Sequence, residues 1–140
     1  MKIADLMSRR VHVAGPDLDA ETAWRCMQQL QVRHLVVVDA QEQVIGLLSE
    51  RDLGGRHGTQ VRHLRTVRDL MTPDPIVLDP ETDVHHAAEL IRGLSIGCFP
   101  VVSGTALVGI VTISDLLDAL AGYEIGQSEG RSSTRLSTYE

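Results

Sequence analysis

Gly109-Ile110-Val111-Thr112-Ile113-Ser114-Asp115-Leu116 and Gly46-Leu47-Leu48-Ser49-Glu50-Arg51-Asp52-Leu53 share one form. Each is a glycine, two apolar residues, a small hydroxyl, two variable positions, an aspartate and a leucine. The apolar run reads as a buried strand, and the residues after the hydroxyl read as the first turn of a helix. A hydroxyl three residues before a carboxylate, at a strand-to-helix junction, sets both side chains beside free backbone N–H groups. Such a corner suits a sugar or a phosphate. The same spacing also makes an N-terminal capping box, with aspartate in place of Glu or Gln. Both readings stand for a single copy, so the extent of the repetition matters.

The repetition runs through most of the chain. Ile3-Ala4-Asp5-Leu6-Met7-Ser8 recurs as Val67-Arg68-Asp69-Leu70-Met71-Thr72. The same offset pairs Val13 with Val77, Pro16 with Pro80, Asp19 with Asp83, Ala23 with Ala87 and Val37 with Val101. One residue is lost in the second copy before Gly109 pairs with Gly46. The chain is a tandem duplication.

Each copy has the same order of periods. His12-Val13 and Ile76-Val77-Leu78 are short strand candidates, followed by a turn rich in Pro and Asp. Helical stripes follow at Ala20, Ala23, Trp24, Met27 and Leu30, and at Val84, Ala87, Ala88, Ile91 and Leu94. Leu35–Val38 and Phe99–Val102 are strands, each joined by a polar turn to the glycine-led strand. This predicts an α/β (α+β) fold of two β-α-β-β-α units. A strand–helix–strand crossover and a hairpin give each unit a three-stranded sheet with helices on one face. The other sheet face needs a partner, so the two units are expected to pack sheet on sheet with pseudo-twofold symmetry. Helices then lie outside, and a cleft runs between the units. The expected boundaries are 1–54 and 67–121 for the repeats, 55–66 for a basic linker and 122–140 for a polar tail, which composition predicts to be disordered.

Composition narrows the function classes. Of the 140 residues 43% are apolar but only 3% aromatic, so the core is aliphatic. The net charge of −6 argues against a nucleic-acid binder. The arginines at 51, 56, 62, 65 and 68 read either as a solvated connection or as phosphate-facing cations. Cys26 and Cys98 have no metal-type spacing and fit burial in a reducing compartment. No signal sequence or membrane-length apolar run is present, so a cytoplasmic protein is expected. His85 and His86 point about 100° apart on a helix and make a poor chelating pair. Nothing pairs a nucleophile with a base, so an enzyme is not expected.

With the duplication and both corners in place, the chain resembles a tandem pair of cystathionine-β-synthase (CBS) domains, a Bateman module. The resemblance rests on Asp69-Leu70-Met71-Thr72-Pro73, Val32-Arg33-His34-Leu35, Phe99-Pro100-Val101-Val102 and the two glycine-to-aspartate segments. It implies an adenosyl ligand in the cleft: AMP, ADP, ATP or S-adenosylmethionine. It further implies that Asp52 or Asp115 holds the ribose hydroxyls, with Ser49 or Thr112 near ribose or phosphate. Backbone around Val11-His12-Val13 and Pro75-Ile76-Val77 would read adenine, while Arg51, Arg33 and His34 screen phosphate. Ser114 occupies in copy two the place of Arg51, and Gly97-Cys98 that of Arg33-His34, so the two sites are expected to differ. Copy one has Val36 where the family usually has proline, and Gly54-Gly55 should shorten its last helix. The resemblance also implies a homodimer through the helices, with Trp24, Met27, Leu117 and Leu120 as interface candidates. Signalling to an effector protein in trans is the expected role; a structural module without a ligand is the alternative.

Overall fold

The computed structural model describes residues 1–122 and 134–135. Two compact units form, and neither is a contiguous stretch. Among the described residues one comprises 1–11 with 76–122, the other 12–75 with 134–135. The leading segment of each repeat is thus built into the unit that holds the body of the other repeat.

The unit built on the first repeat's body contains β1 (His12–Ala14), α2 (Ala20–Leu30), β2 (His34–Val38) and β3 (Val44–Ser49). It adds α3 (Thr59–Arg62), α4 (Val67–Leu70) and β4 (Thr72–Pro73). Its mixed sheet runs β4-β3-β2-β1-β7, where β7 is Thr134–Arg135 paired in parallel with β1. The other unit contains α1 (Ile3–Leu6), α5 (Val84–Ile91), β5 (Cys98–Ser103), β6 (Ala106–Thr112) and α6 (Ile113–Leu120). Here β5 and β6 form an antiparallel pair, extended by a Ser8–Ile110 bridge on one side and a parallel Leu78–Val101 bridge on the other. The order Ser8, β6, β5, Leu78 reproduces β4, β3, β2, β1.

Helix ends are set by short polar side chains. Asp19 caps α2 by accepting the Thr22 N–H at 3.1 Å, and Asp83 caps α5 through the His85 N–H at 2.9 Å. The repeated aspartate of the leading segments works the same way. Asp5 accepts the Lys2 N–H and Asp69 the Thr66 N–H, each at 2.8 Å. Both leading helices then bury apolar faces. Val67 lies in a core with Leu35, Val37, Leu48 and Met27, while Ile3, Leu6 and Met7 lie in one with Phe99, Val111 and Leu116.

Two details depart from the sequence expectation. The segment 76–78 does not form a regular strand: only Leu78 pairs, and Ile76 and Val77 are 40% and 45% exposed. The cause is Pro100. In the first repeat β1 pairs Val13 with Val36 and Ala14 with Val37. Pro100, at the position of Val36, has no N–H to donate toward residue 76, so the ladder shrinks to one bridge. Second, the first repeat has no closing helix. Its final turn ends at once in a Schellman arrangement, with Gly54 N–H on the Arg51 carbonyl at 2.9 Å and Gly55 N–H on the Glu50 carbonyl at 3.1 Å. Gly54 sits at φ 84°, in the left-handed region that glycine enters without strain. Within 55–66 a 3₁₀ turn at Gly55–His57 leads into α3. The tail expectation lies outside the described residues, apart from β7.

The glycine that leads each signature strand has a steric cause. A Cβ at Gly109 would lie 2.9 Å from the Ser8 carbonyl oxygen and 2.6 Å from Met7 Sδ; one at Gly46 would meet Met71 Sδ and lie 3.2 Å from the Thr72 oxygen. The leading segment crosses directly over each glycine. Gly109→Ala is expected to cost about 1–3 kcal/mol, because a bridged backbone oxygen cannot move aside, and Gly46→Ala less. Urea unfolding of the two variants checks this; equal costs would contradict it.

Candidate functional site

The two signature segments form matching corners. In the first, Ser49 ends β3 and the next residues turn immediately into a helical turn. The Asp52 N–H donates to Ser49 Oγ at 3.0 Å, and the Ser49 N–H donates to Asp52 Oδ2 at 2.9 Å. In the second, the Asp115 N–H donates to Thr112 Oγ1 at 3.2 Å and the Thr112 N–H to Asp115 Oδ2 at 3.1 Å. Both readings of the spacing therefore meet in one geometry. The capping box forms, and it fixes the carboxylate by one oxygen. Both aspartates are half-buried, and among the described residues Oδ1 of either accepts no hydrogen bond. An ionised carboxylate held this way is a strong acceptor for a vicinal diol.

Cross-strand pairing decides what stands next to each carboxylate. His34 pairs with Ser49, and Cys98 pairs with Thr112. The Glu50 N–H donates to the Arg33 carbonyl at 2.9 Å, and the Ile113 N–H to the Gly97 carbonyl at 2.8 Å. The backbone of Arg33 and His34 thus lies beside the first corner. His34 is half-buried; burial lowers its pKa from the usual 6.5, and the Asp52 charge pulls it the other way. Cys98 is buried, and burial together with the Asp115 charge pushes its thiol up to about 12. It is a neutral, unreactive filler at neutral pH. Arg51, Ile113 and Ser114 are exposed at the corner rims.

The remaining predicted residues are placed as follows. His12 and Val13 lie in β1, two strands from β3, with Val13 buried; Val11 is buried at the preceding position. Pro75, Ile76 and Val77 precede the Leu78 bridge and offer no extended ladder edge. Cys98 was absent from the expected site although its alignment with His34 was visible; only the register shows that it faces Thr112. The linker arginines do not form a cationic patch as a group. Arg62 is 2% exposed and turned into its own unit, and Arg68 pairs with Asp17 at 3.5 Å. Among the described residues no group of three or more His, Cys, Asp or Glu is arranged to hold a metal, and no helix is long and apolar enough to cross a membrane.

Residues 3–53 and 67–122 each match the CBS domain family. The chain belongs to that family and carries a tandem pair of its domains. The CBS domain-containing protein YhcV of Bacillus subtilis is 30% identical over 115 residues, covering 81% of each chain. The CBS-pair protein CBSX2 of Arabidopsis thaliana, solved in complex with AMP, is 28% identical with a TM-score of 0.73, over 86% of this chain and 96% of that one. The inosine-5'-monophosphate dehydrogenase of Methanocaldococcus jannaschii is 25% identical over 83% of this chain, which spans only 23% of the dehydrogenase.

The dual geometry of the corner makes a prediction. Asp52→Ala removes the acceptor for the Ser49 N–H and is expected to cost about 0.5–2 kcal/mol of stability. Asp52→Asn keeps an acceptor oxygen and should stay near wild type. Thermal unfolding of both variants tests this; an Asn variant as unstable as the Ala variant would show that the charge, not the cap, holds the turn.

Proposed function

We propose that this chain is a regulatory CBS-pair module that binds an adenosyl ligand at the Asp52 or Asp115 corner and conveys the bound state to an effector protein in trans. The observation that carries the reading is the half-buried aspartate at each strand-to-helix junction, held by one oxygen, with no hydrogen bond to the other among the described residues. The likeness to CBSX2, solved with AMP, supports the ligand class. On this reading Oδ1 accepts a ribose hydroxyl, and Ser49 or Thr112 sits beside ribose or phosphate. Backbone near His12 and Val13, or near Ile76 and Val77, reads the base. The first corner, with exposed Arg51 and Arg33 and with His34 beside it, suits AMP, ADP or ATP. The second, with Ser114 and Cys98 in the matching places, suits a less charged ligand such as S-adenosylmethionine. The repeat boundaries at 1–54 and 67–121 belong to the same proposal, supported by the two family matches. Its role is regulatory rather than catalytic; the kinship with a dehydrogenase extends only over that enzyme's corresponding quarter.

A second reading, a structural module with no ligand, is favoured by the completeness of the capping boxes. Calorimetric titration of AMP, ATP and S-adenosylmethionine into wild type, Asp52→Asn and Asp115→Asn separates the two. The sensor reading expects AMP to bind wild type and to weaken by about tenfold or more in Asp52→Asn, with the fold kept. No heat from any ligand with folded wild type would establish the structural module.

A homodimer is part of the proposal, through the helical face of α5 and α6. Leu117 and Leu90 there are 59% and 58% exposed, with Leu94 and Leu120 beside them. Met27, expected on such a face, is fully buried in its own unit's core, so it has no surface to offer. Trp24 is half-buried beneath Arg62. Leu117→Asp is expected to convert a dimer into a monomer in light scattering at micromolar concentration. A wild-type monomer would remove the dimer from the proposal.

A further inference from the structure

Arg62 is the one strongly buried charged residue among the described residues, and Nη1 and Nε of its guanidinium make three hydrogen bonds. Its Nη1 donates to the carbonyls of Leu53 and Gly55, each at 2.8 Å. Nε donates to Glu21 Oε1 on α2 at 2.8 Å, and the guanidinium lies 4.5 Å from the centre of the Trp24 ring. Leu53 and Gly55 flank Gly54, the residue at which the turn carrying Asp52 stops. The second repeat continues from Asp115 to Leu120 through the rest of α6, whose own backbone fixes the corner. The first repeat has no such helix.

We infer that Arg62 is the positioning residue of the Asp52 corner, standing in for the helix that the first repeat lacks. A turn cut off by a glycine leaves its last carbonyls without helical partners. Arg62 Nη1 donates to the Leu53 carbonyl, one of these, and to the Gly55 carbonyl just beyond, which also accepts the Gly58 N–H; the Glu21 ion pair and the Trp24 stack orient the guanidinium. The corner is thereby tied to α2, and Asp52 keeps the direction of its free oxygen. The same contacts remove Arg62 from any role in binding phosphate. The consequence for affinity rests on the adenosyl reading above; the consequence for the corner itself does not.

The test uses the full chain in an Asp115→Asn background, so that only the Asp52 corner contributes. Arg62→Met keeps an apolar filler over Trp24 but loses both carbonyl bonds. Arg62→Lys keeps the charge beside Glu21 without the guanidinium. Glu21→Gln loses the ion pair but leaves the carbonyl bonds. Hydrogen exchange of the Ser49 and Asp52 amides is read first, with no ligand present. Faster exchange there in Arg62→Met and Arg62→Lys, by about tenfold, with Glu21→Gln near wild type, is expected. Equal exchange in all three variants overturns the inference. AMP titration is read second: a tenfold weaker Kd in the two Arg62 variants, and little change in Glu21→Gln, is expected. Weakening that is equal in Glu21→Gln and Arg62→Met would reduce Arg62 to a general stabiliser and overturn its positioning role. If AMP fails to bind even the background protein, the adenosyl reading falls, while the exchange data still decide whether Arg62 holds the corner.

Discussion

The close crossing of a leading segment over a glycine is the constraint on which both units depend. Met7 and Ser8 pass over Gly109, and Met71 and Thr72 pass over Gly46, with no room for a Cβ in between. That approach lets Ser8 bridge Ile110 with two 2.9 Å bonds and lets β4 pair with β3. It also seats α1 and α4 on the cores that hold Phe99 and Leu35. Because each leading segment serves the body of the other repeat, neither repeat closes its own core alone.

The corners show how one arrangement can serve structure and binding together. A strand that becomes a helix leaves backbone N–H groups without partners, and a hydroxyl and a carboxylate three residues apart satisfy one each. Only one carboxylate oxygen is used in doing so. The bonds that cap the turn at Asp52 and Asp115 thus leave the second oxygen unused among the described residues. What differs between the corners comes from the neighbouring strand, where an ionisable imidazole in one is replaced by a buried thiol in the other. The turn beyond Asp52 differs as well, since Gly54 ends it and Arg62 closes it.

The duplication, the order of elements, the glycine-to-aspartate corners and their capping aspartates were legible in the sequence. They depend on short-range periodicity, turn chemistry and repetition, all of which are local. The basic linker was legible only as charge. That Arg62 is buried against Trp24 and bonded to two carbonyls depends on where α3 returns in space, and nothing in its neighbours along the chain encodes that. The loss of the strand at 76–78 lay between the two cases. Pro100 was visible, but its effect on residue 76 needed the parallel register. Met27 gave the same helical stripe whether that stripe met a core or another molecule. The sequence by itself determined which residues alternate, cap and repeat, because those rules act within a few bonds. The tertiary structure alone decided which leading segment fills which core, and which charges are spent inside, because those depend on contacts between residues far apart in the chain.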